Sequence, residues 1–83
     1  MEPRAVVESF AKEMEKQLRA NEYKGGWEDC TARHLLDELQ RNYIAIISAF
    51  LNNDCDGDIT RRCANVANFA MMIADNFGSG LGE

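Results

Sequence analysis

The chain has 83 residues, which is enough for one domain and too few for two hydrophobic cores. Its 14 acidic and 9 basic residues give a formal net charge of −5, which disfavours general binding to nucleic acid. A hydrophobic content of 46% predicts a folded globular protein, and no apolar run reaches the ~20 residues of a membrane span.

The first predicted helix covers residues 4–21. Pro3 suits the first turn of a helix. Apolar side chains then recur at spacings of three and four, at Val7, Phe10, Met14 and Leu18. The following segment, NEYKGGWEDC from Asn21 to Cys30, contains paired glycines that interrupt the helical period and therefore predicts an ordered loop.

The second predicted helix covers residues 32–51, with Thr31 as its N-cap. Its apolar pattern is the longest in the chain and runs through Leu35, Leu36, Leu39, Tyr43, Ile46, Ile47 and Phe50. A turn rich in Asn, Asp and Gly then ends this helix.

The third predicted helix covers residues 59–76, with Asp58 as its cap and Gly78 as its terminator. Its apolar residues are Ile59, Cys63, Val66, Ala70, Ile73 and Phe77. The second and third helices predict an antiparallel hairpin with the first helix packed across it. We therefore expect an all-α, three-helix domain over residues 1–78 and a flexible tail over residues 79–83.

Two further expectations concern assembly and location. A chain this short buries only about 60% of its unfolded surface, and Ile47, Phe50 and Phe69 should be poorly covered in a monomer, so we expect a dimer or a higher oligomer. Three cysteines form no CxxC pair, and no basic-then-apolar leader precedes residue 10. These features predict a cytoplasmic protein.

The segment from Asn52 to Cys63 matches part of the EF-hand calcium pattern, with oxygen-bearing side chains at places one, three and five and Gly57 at six. Place twelve, however, is Cys63, where a bidentate carboxylate should close the calcium shell. An acidic turn between helices with a capping Asp58 is the favoured interpretation. His34 is the only histidine and has no partner at zinc-ligand spacing, so no metal site is predicted there.

Two strings carry a family resemblance: KGGWEDCTARHLLDEL, from Lys24 to Leu39, and RRCANVANFAMMIADN, from Arg61 to Asn76. Together they resemble the MazG-like nucleoside triphosphate pyrophosphohydrolases, particularly the short versions of phages and mobile elements, and the resemblance covers about residues 5–78. It implies a three-helix MazG-like bundle that is oligomeric. It also implies magnesium-dependent hydrolysis between the α and β phosphates of a nucleotide.

In that family the magnesium ligands come from an EExxE pattern on one helix and an ExxD pattern on another. When the strings are aligned on their apolar residues, the first pattern falls on Arg41, Asn42 and Ala45 and the second on Arg62 and Asn65. None of these residues is a carboxylate, and the formal charge at these places changes from −5 to +2. Metal-assisted hydrolysis should therefore fail, and we expect no catalytic residues, no metal ligands and no cofactor.

The resemblance then implies a pocket that favours anions. Arg41 and Arg62 would bind phosphate oxygens with their planar donor groups, Lys24 would add a third cation, and Trp27 or Tyr23 would stack on a base. The candidate ligand-binding residues are Lys24, Trp27, Arg41, Arg62, Asn65 and Asn68. An equally weighted alternative is that the two arginines are solvated or form ion pairs with Asp37, Glu38 or Asp58.

Three functions stay open at this point. The first is binding of a nucleotide or another phosphorylated small molecule without hydrolysis. The second is an active pyrophosphohydrolase that uses displaced carboxylates, namely Asp37, Glu38, Asp58 and Asp75. The third is a protein-interaction module with a vestigial pocket, whose partner would be a host protein if the chain is phage-borne.

Overall fold

The computed structural model describes residues 2–53 and 57–78, in which the regular secondary structure is helical and no strand occurs. Helix α1 spans Ala5–Ala20, α2 spans Ala32–Leu51 and α3 spans Gly57–Phe77. A short 3₁₀ turn, Glu22–Lys24, lies between α1 and α2. The prediction of an all-α fold with three helices is confirmed, whereas the predicted tail, residues 79–83, lies outside the described residues.

The ends of α2 are those predicted. Thr31 is its N-cap, and its side-chain oxygen accepts a hydrogen bond from the backbone N–H of His34 at 3.1 Å. This bond satisfies one of the N–H groups that have no partner within the first helical turn. At the other end, Asn53 has a φ of 55°, a left-handed conformation in which asparagine is tolerated better than most residues.

The prediction that Asp58 caps the third helix is wrong, because α3 begins at Gly57 and Asp58 lies inside its first turn. A carboxylate in the first turn is still stabilised by the positive end of the helix dipole. Asp58 also forms ion pairs within the helix, at 3.3 Å from Arg61 Nη2 and 3.7 Å from Arg62 Nη2. At the C-terminal end, a Cβ on Gly78 would lie 2.5 Å from the carbonyl oxygen of Ala74, so glycine is required there.

Helix α3 is the central element. It packs against both α1 and α2, whereas no Cα atom of α1 lies within 8 Å of one in α2 in the described part of the chain. Helix α1 therefore packs mainly on the α3 side of the hairpin. Because the residues just before α2 contact the end of α3, α2 and α3 run antiparallel, as predicted.

The fully covered apolar core is small. Among residues 2–53 and 57–78, its members are Leu35, Ala49 and Ala64. Several side chains of the predicted apolar pattern of α2 are instead exposed, including Tyr43, and the expected exposure of Ile47 and Phe50 is observed. Phe69, which was also expected to be poorly covered, is half-buried.

No helix in residues 2–53 and 57–78 has both the length and the apolar character that a membrane crossing requires. Cys30 and Cys63 are free thiols that are partly buried. The third cysteine, Cys55, lies outside the described residues.

Candidate ligand-binding cleft

The KGGW loop, residues 24–27, is fixed to the end of α3 by two hydrogen bonds. The indole Nε1 of Trp27 donates to Oδ2 of Asp75 at 3.1 Å. The side-chain Nδ2 of Asn76 donates to the backbone carbonyl oxygen of Trp27 at 2.7 Å. Because consecutive residues of α3 hold both the side chain and the backbone of Trp27, this helix sets the position of the loop.

Backbone hydrogen bonds shape both sides of the same loop. Before the glycines, Gly25 N–H donates to the carbonyl oxygen of Glu22 at 3.0 Å, and after them Cys30 N–H donates to that of Trp27 at 3.0 Å. Gly25 has a φ of 91° in an otherwise extended conformation, which a side chain at this position would strain. The first glycine of the pair is thus required by the backbone.

Beside the KGGW loop lies a cleft of about 770 Å³ that the loop and all three helices line. The predicted ligand-binding residues in its lining are Lys24, Trp27, Asn65 and Asn68. Arg41 and Arg62 are not in the lining. The structure therefore brings the loop residues and the two asparagines of α3 together, and it leaves the two arginines outside the cleft.

The cleft also contains polar side chains that were not predicted as site residues. Further carboxamides come from Gln17, Asn21 and Asn42, and carboxylates come from Glu15, Glu22 and Glu38. Two of them carried a sequence signal: Asn42 occupies one of the carboxylate positions of the resemblance, and Glu38 is one of the displaced carboxylates of the second function. The other four, Glu15, Gln17, Asn21 and Glu22, lie in α1 or directly after it, and the packing of α1 against α3 places them beside the cleft.

Asn68 is the most buried polar residue of the cleft, with 3% of its surface exposed. Its Nδ2 donates to the backbone carbonyl oxygen of Met14 at 3.1 Å. This bond fixes the orientation of the amide, because a carbonyl oxygen accepts only from the NH₂ side of the group. The other amide atom, Oδ1, is buried and has no hydrogen-bond partner among the described residues.

Each of the two predicted phosphate-binding arginines forms an ion pair within its own helix. Nη1 of Arg41 lies 3.2 Å from Oε1 of Glu38, and Nη2 of Arg62 lies 3.7 Å from Oδ2 of Asp58. Arg41 thereby neutralises a carboxylate of the cleft without lining it. Nε of Arg62 is buried, with no hydrogen-bond partner in the described part of the chain.

The formal charges around the cleft balance. Glu38 is paired with Arg41, and Glu15 lies 3.8 Å from Arg19 Nε across one helical turn. Glu22 and Lys24 are the other charged residues of the lining and have opposite signs. The arrangement is therefore a nearly neutral, amide-rich cleft rather than a strongly cationic one.

The donor set does not fit the magnesium ion that the resemblance implies. Of the displaced carboxylates, only Glu38 lines the cleft. The other three carboxylates have partners elsewhere. Asp37 forms an ion pair with Arg33 at 3.4 Å, and Asp58 forms ion pairs with Arg61 and Arg62. Asp75 accepts the hydrogen bond from the indole N–H of Trp27. Across residues 2–53 and 57–78, no three Asp, Glu, His or Cys side chains are grouped as metal ligands. The EF-hand-like turn includes residues 54–56, which lie outside the described part of the chain.

Comparisons of the chain with protein-family models, with curated proteins and with solved structures found no match. The similarity to the MazG-like family therefore stays a prediction from the two sequence strings.

Proposed function

We propose that the cleft binds a nucleotide or another phosphorylated small molecule without hydrolysing it, as a non-catalytic relative of the MazG-like pyrophosphohydrolases would. The observation that carries this proposal is that one cleft combines an indole, an ammonium group and several carboxamides. Free thiols at Cys30 and Cys63 are compatible with a reducing cytoplasm, where we expect the protein to act.

The carboxamides supply the means of recognising a base. An asparagine side chain offers two donor hydrogens and an acceptor oxygen, and one hydrogen of Asn42 Nδ2 is already donated to the backbone carbonyl oxygen of Glu38 at 2.8 Å. Asn65 can therefore pair with the hydrogen-bonding edge of a planar heterocycle through its whole amide, and Asn42 through its oxygen and its remaining N–H. Trp27 adds aromatic surface, and base–aromatic stacking contributes roughly 1–3 kcal/mol per base. These groups lie on α2, on α3 and on the loop that α3 holds in place.

Lys24 supplies the positive charge for the phosphate. Its Nζ lies 5.7 Å from the centre of the Tyr23 ring and forms no ion pair with any described residue. Tyr23 does not line the cleft, so the ammonium group would exchange this aromatic contact for a phosphate at the loop end of the cleft. Because Arg41 neutralises Glu38, that carboxylate does not repel a phosphate as an unpaired one would.

Calorimetry with EDTA present, against a panel of nucleoside monophosphates, triphosphates and cyclic nucleotides, tests the proposal directly. We expect at least one member to bind with a Kd in the micromolar range, which corresponds to about −8 kcal/mol. Trp27 is the only tryptophan of the chain, so its fluorescence should change over the same ligand concentrations. If no member of the panel binds, the proposal is wrong and the interaction-module alternative replaces it.

Two substitutions in the lining, Lys24→Gln and Asn65→Ala, should each weaken binding about tenfold, since each removes one polar contact worth roughly 1.4 kcal/mol. Lys12→Gln on α1 is the matched control, because Lys12 is exposed and does not line the cleft. Arg41→Ala should also weaken binding, because it leaves Glu38 unpaired beside the ligand. Equal effects from Lys24→Gln and Lys12→Gln would indicate nonspecific charge attraction instead of a site.

We expect no magnesium-dependent release of pyrophosphate from common nucleoside triphosphates, because the cleft offers too few grouped carboxylates to hold the ion. An enzymatic pyrophosphate assay with and without EDTA measures this. Turnover that requires magnesium would favour the second function, a pyrophosphohydrolase that uses the displaced carboxylates.

A further inference from the structure

The charges of the cleft limit how many phosphate groups a ligand can bring into it. Among the described residues, the carboxylates of Glu15, Glu22 and Glu38 line the cleft, and Lys24 is the one lysine or arginine that does. His34 also lines the cleft and adds no formal charge at pH 7. The lining itself therefore carries more negative than positive charge.

Two arginines next to the cleft offset this excess without entering the lining. Nε of Arg19 lies 3.8 Å from Glu15, and Nη1 of Arg41 lies 3.2 Å from Glu38. Neither arginine lines the cleft. Each cancels the formal charge of one carboxylate and leaves no positive charge over for a ligand. Glu22 and Lys24 then cancel each other, and a phosphorylated ligand enters surroundings with no net formal charge.

One phosphate group has a binding partner at the loop end of the cleft. Lys24 ends the 3₁₀ turn Glu22–Lys24, and its Nζ forms no ion pair with any described residue. An ammonium group binds a phosphate as a compact point charge. Glu22 begins the same turn and also lines the cleft. Each phosphate beyond the first therefore adds negative charge near Glu22, with no further lysine or arginine in the described lining to neutralise it.

The number of phosphate groups sets how much negative charge a ligand carries. A phosphate monoester carries about two negative charges near pH 7, a cyclic diester about one, and a triphosphate about four. Proteins that act on triphosphates commonly neutralise this charge with magnesium ions. Within residues 2–53 and 57–78, however, no three side chains are grouped as metal ligands. The charge of a triphosphate would thus remain largely unneutralised here.

We propose that the cleft selects ligands with a single phosphate group, such as a nucleoside monophosphate or a cyclic nucleotide, over the corresponding triphosphate. This inference rests on the proposed function, because it applies only if a phosphorylated ligand binds in the cleft. It adds the class of ligand: Lys24 neutralises one phosphate, and Glu22 repels the charge of additional ones. Like charges brought together in a binding site lower the affinity of the wrong partner and so provide selectivity.

Calorimetry with EDTA at low salt tests the selectivity on the full chain. For each common base, the series comprises the nucleoside, its cyclic monophosphate, its 5′-monophosphate and its 5′-triphosphate. We expect one of the two single-phosphate ligands to bind tightest and the triphosphate to bind at least about tenfold more weakly. The nucleoside should also bind about tenfold more weakly, because it offers no charge to Lys24. The penalty on the triphosphate should shrink at high salt, since salt screens the repulsion.

Two variants test whether Glu22 causes the selectivity. Glu22→Gln removes the carboxylate beside Lys24 and should strengthen triphosphate binding about threefold or more relative to monophosphate binding. Glu8→Gln on α1 is the matched control, because it makes the same change of charge at an exposed residue outside the lining. It should leave the ratio of the two affinities unchanged.

The outcomes separate this inference from the proposed function. If the triphosphate binds as tightly as the single-phosphate ligands, or if Glu8→Gln changes the ratio as much as Glu22→Gln does, the inference is overturned and the proposed function stands. A nucleoside that binds as tightly as its monophosphate would also overturn the inference. If no member of the series binds, the proposed function fails, and the inference fails with it.

Discussion

Replacing Asp75 with alanine should loosen the KGGW loop without unfolding the domain. The substitution removes the acceptor of the Trp27 indole N–H, which lies 3.1 Å from Oδ2 of Asp75. A hydrogen bond to a charged group contributes roughly 1.5–3 kcal/mol. Both side chains are partly exposed, so the lower end applies. Asn76 still holds the carbonyl oxygen of Trp27 at 2.7 Å, and the loop should therefore open more often rather than detach.

A loss of about 1.5 kcal/mol raises the population of the open loop more than tenfold. Hydrogen exchange of the Cys30 amide measures that population, because this N–H donates to the carbonyl oxygen of Trp27 within the loop. Its exchange should become about ten times faster in Asp75→Ala. The emission of Trp27 should also shift to longer wavelength and become easier to quench, since the indole gains access to water.

The control is Asp29→Ala, which removes an exposed carboxylate near the same loop. It should leave both signals at their wild-type values. Asp75→Asn keeps an oxygen acceptor without the charge and should give an intermediate exchange rate. If the Cys30 exchange rate and the Trp27 emission of Asp75→Ala are the same as in the wild type, the hydrogen bond of the indole contributes nothing to holding the loop.

Two further predictions concern stability and are measured by urea denaturation at one fixed chain concentration. Leu35→Ala should lower the free energy of unfolding by about 2–5 kcal/mol, because Leu35 is only 1% exposed. Leu51→Ala is the control and should lower it by less than about 0.5 kcal/mol, because Leu51 is 79% exposed. Similar losses in the two would contradict the assigned core. Asn53→Gly should leave stability unchanged or slightly higher, and Asn53→Ala should lower it by about 1 kcal/mol, because only glycine adopts the φ of 55° without strain. An alanine variant as stable as wild type would refute that conformation.

The sequence predicted the bounds of a helix well where a capping residue and the repeat of apolar side chains indicate the same helix end. Both ends of α2 match the prediction, since Thr31 has a side chain suited to capping and the apolar period continues to the last turn. The start of α3 was misplaced because an acidic residue is favoured both at a cap and within the first turn. Asp58 satisfies either position, and the sequence offers nothing that decides between them.

The apolar period could not predict which side of α2 is buried. Periodicity identifies residues that share a face, but α2 has large apolar residues on two sides, with Leu35 on one and Ile47 on the other. Leu35 is buried because α3 packs on its side. Likewise, Arg41 was expected in the pocket from its place in the pattern. The equally weighted alternative, an ion pair with Asp37, Glu38 or Asp58, is what the structure shows for Arg41, whose Nη1 lies 3.2 Å from Oε1 of Glu38.

The two bonds that anchor Trp27 join residues separated by 48 and 49 positions in the chain. One wall of the cleft therefore exists only while the last turns of α3 are folded. Helix ends open at a lower free-energy cost than helix centres, so this end is where the cleft would be expected to come apart first. A ligand that binds only the assembled cleft stabilises those turns by mass action. Protection of the end of α3 against proteolysis would thus report occupancy of a cleft whose other walls lie on distant parts of the chain.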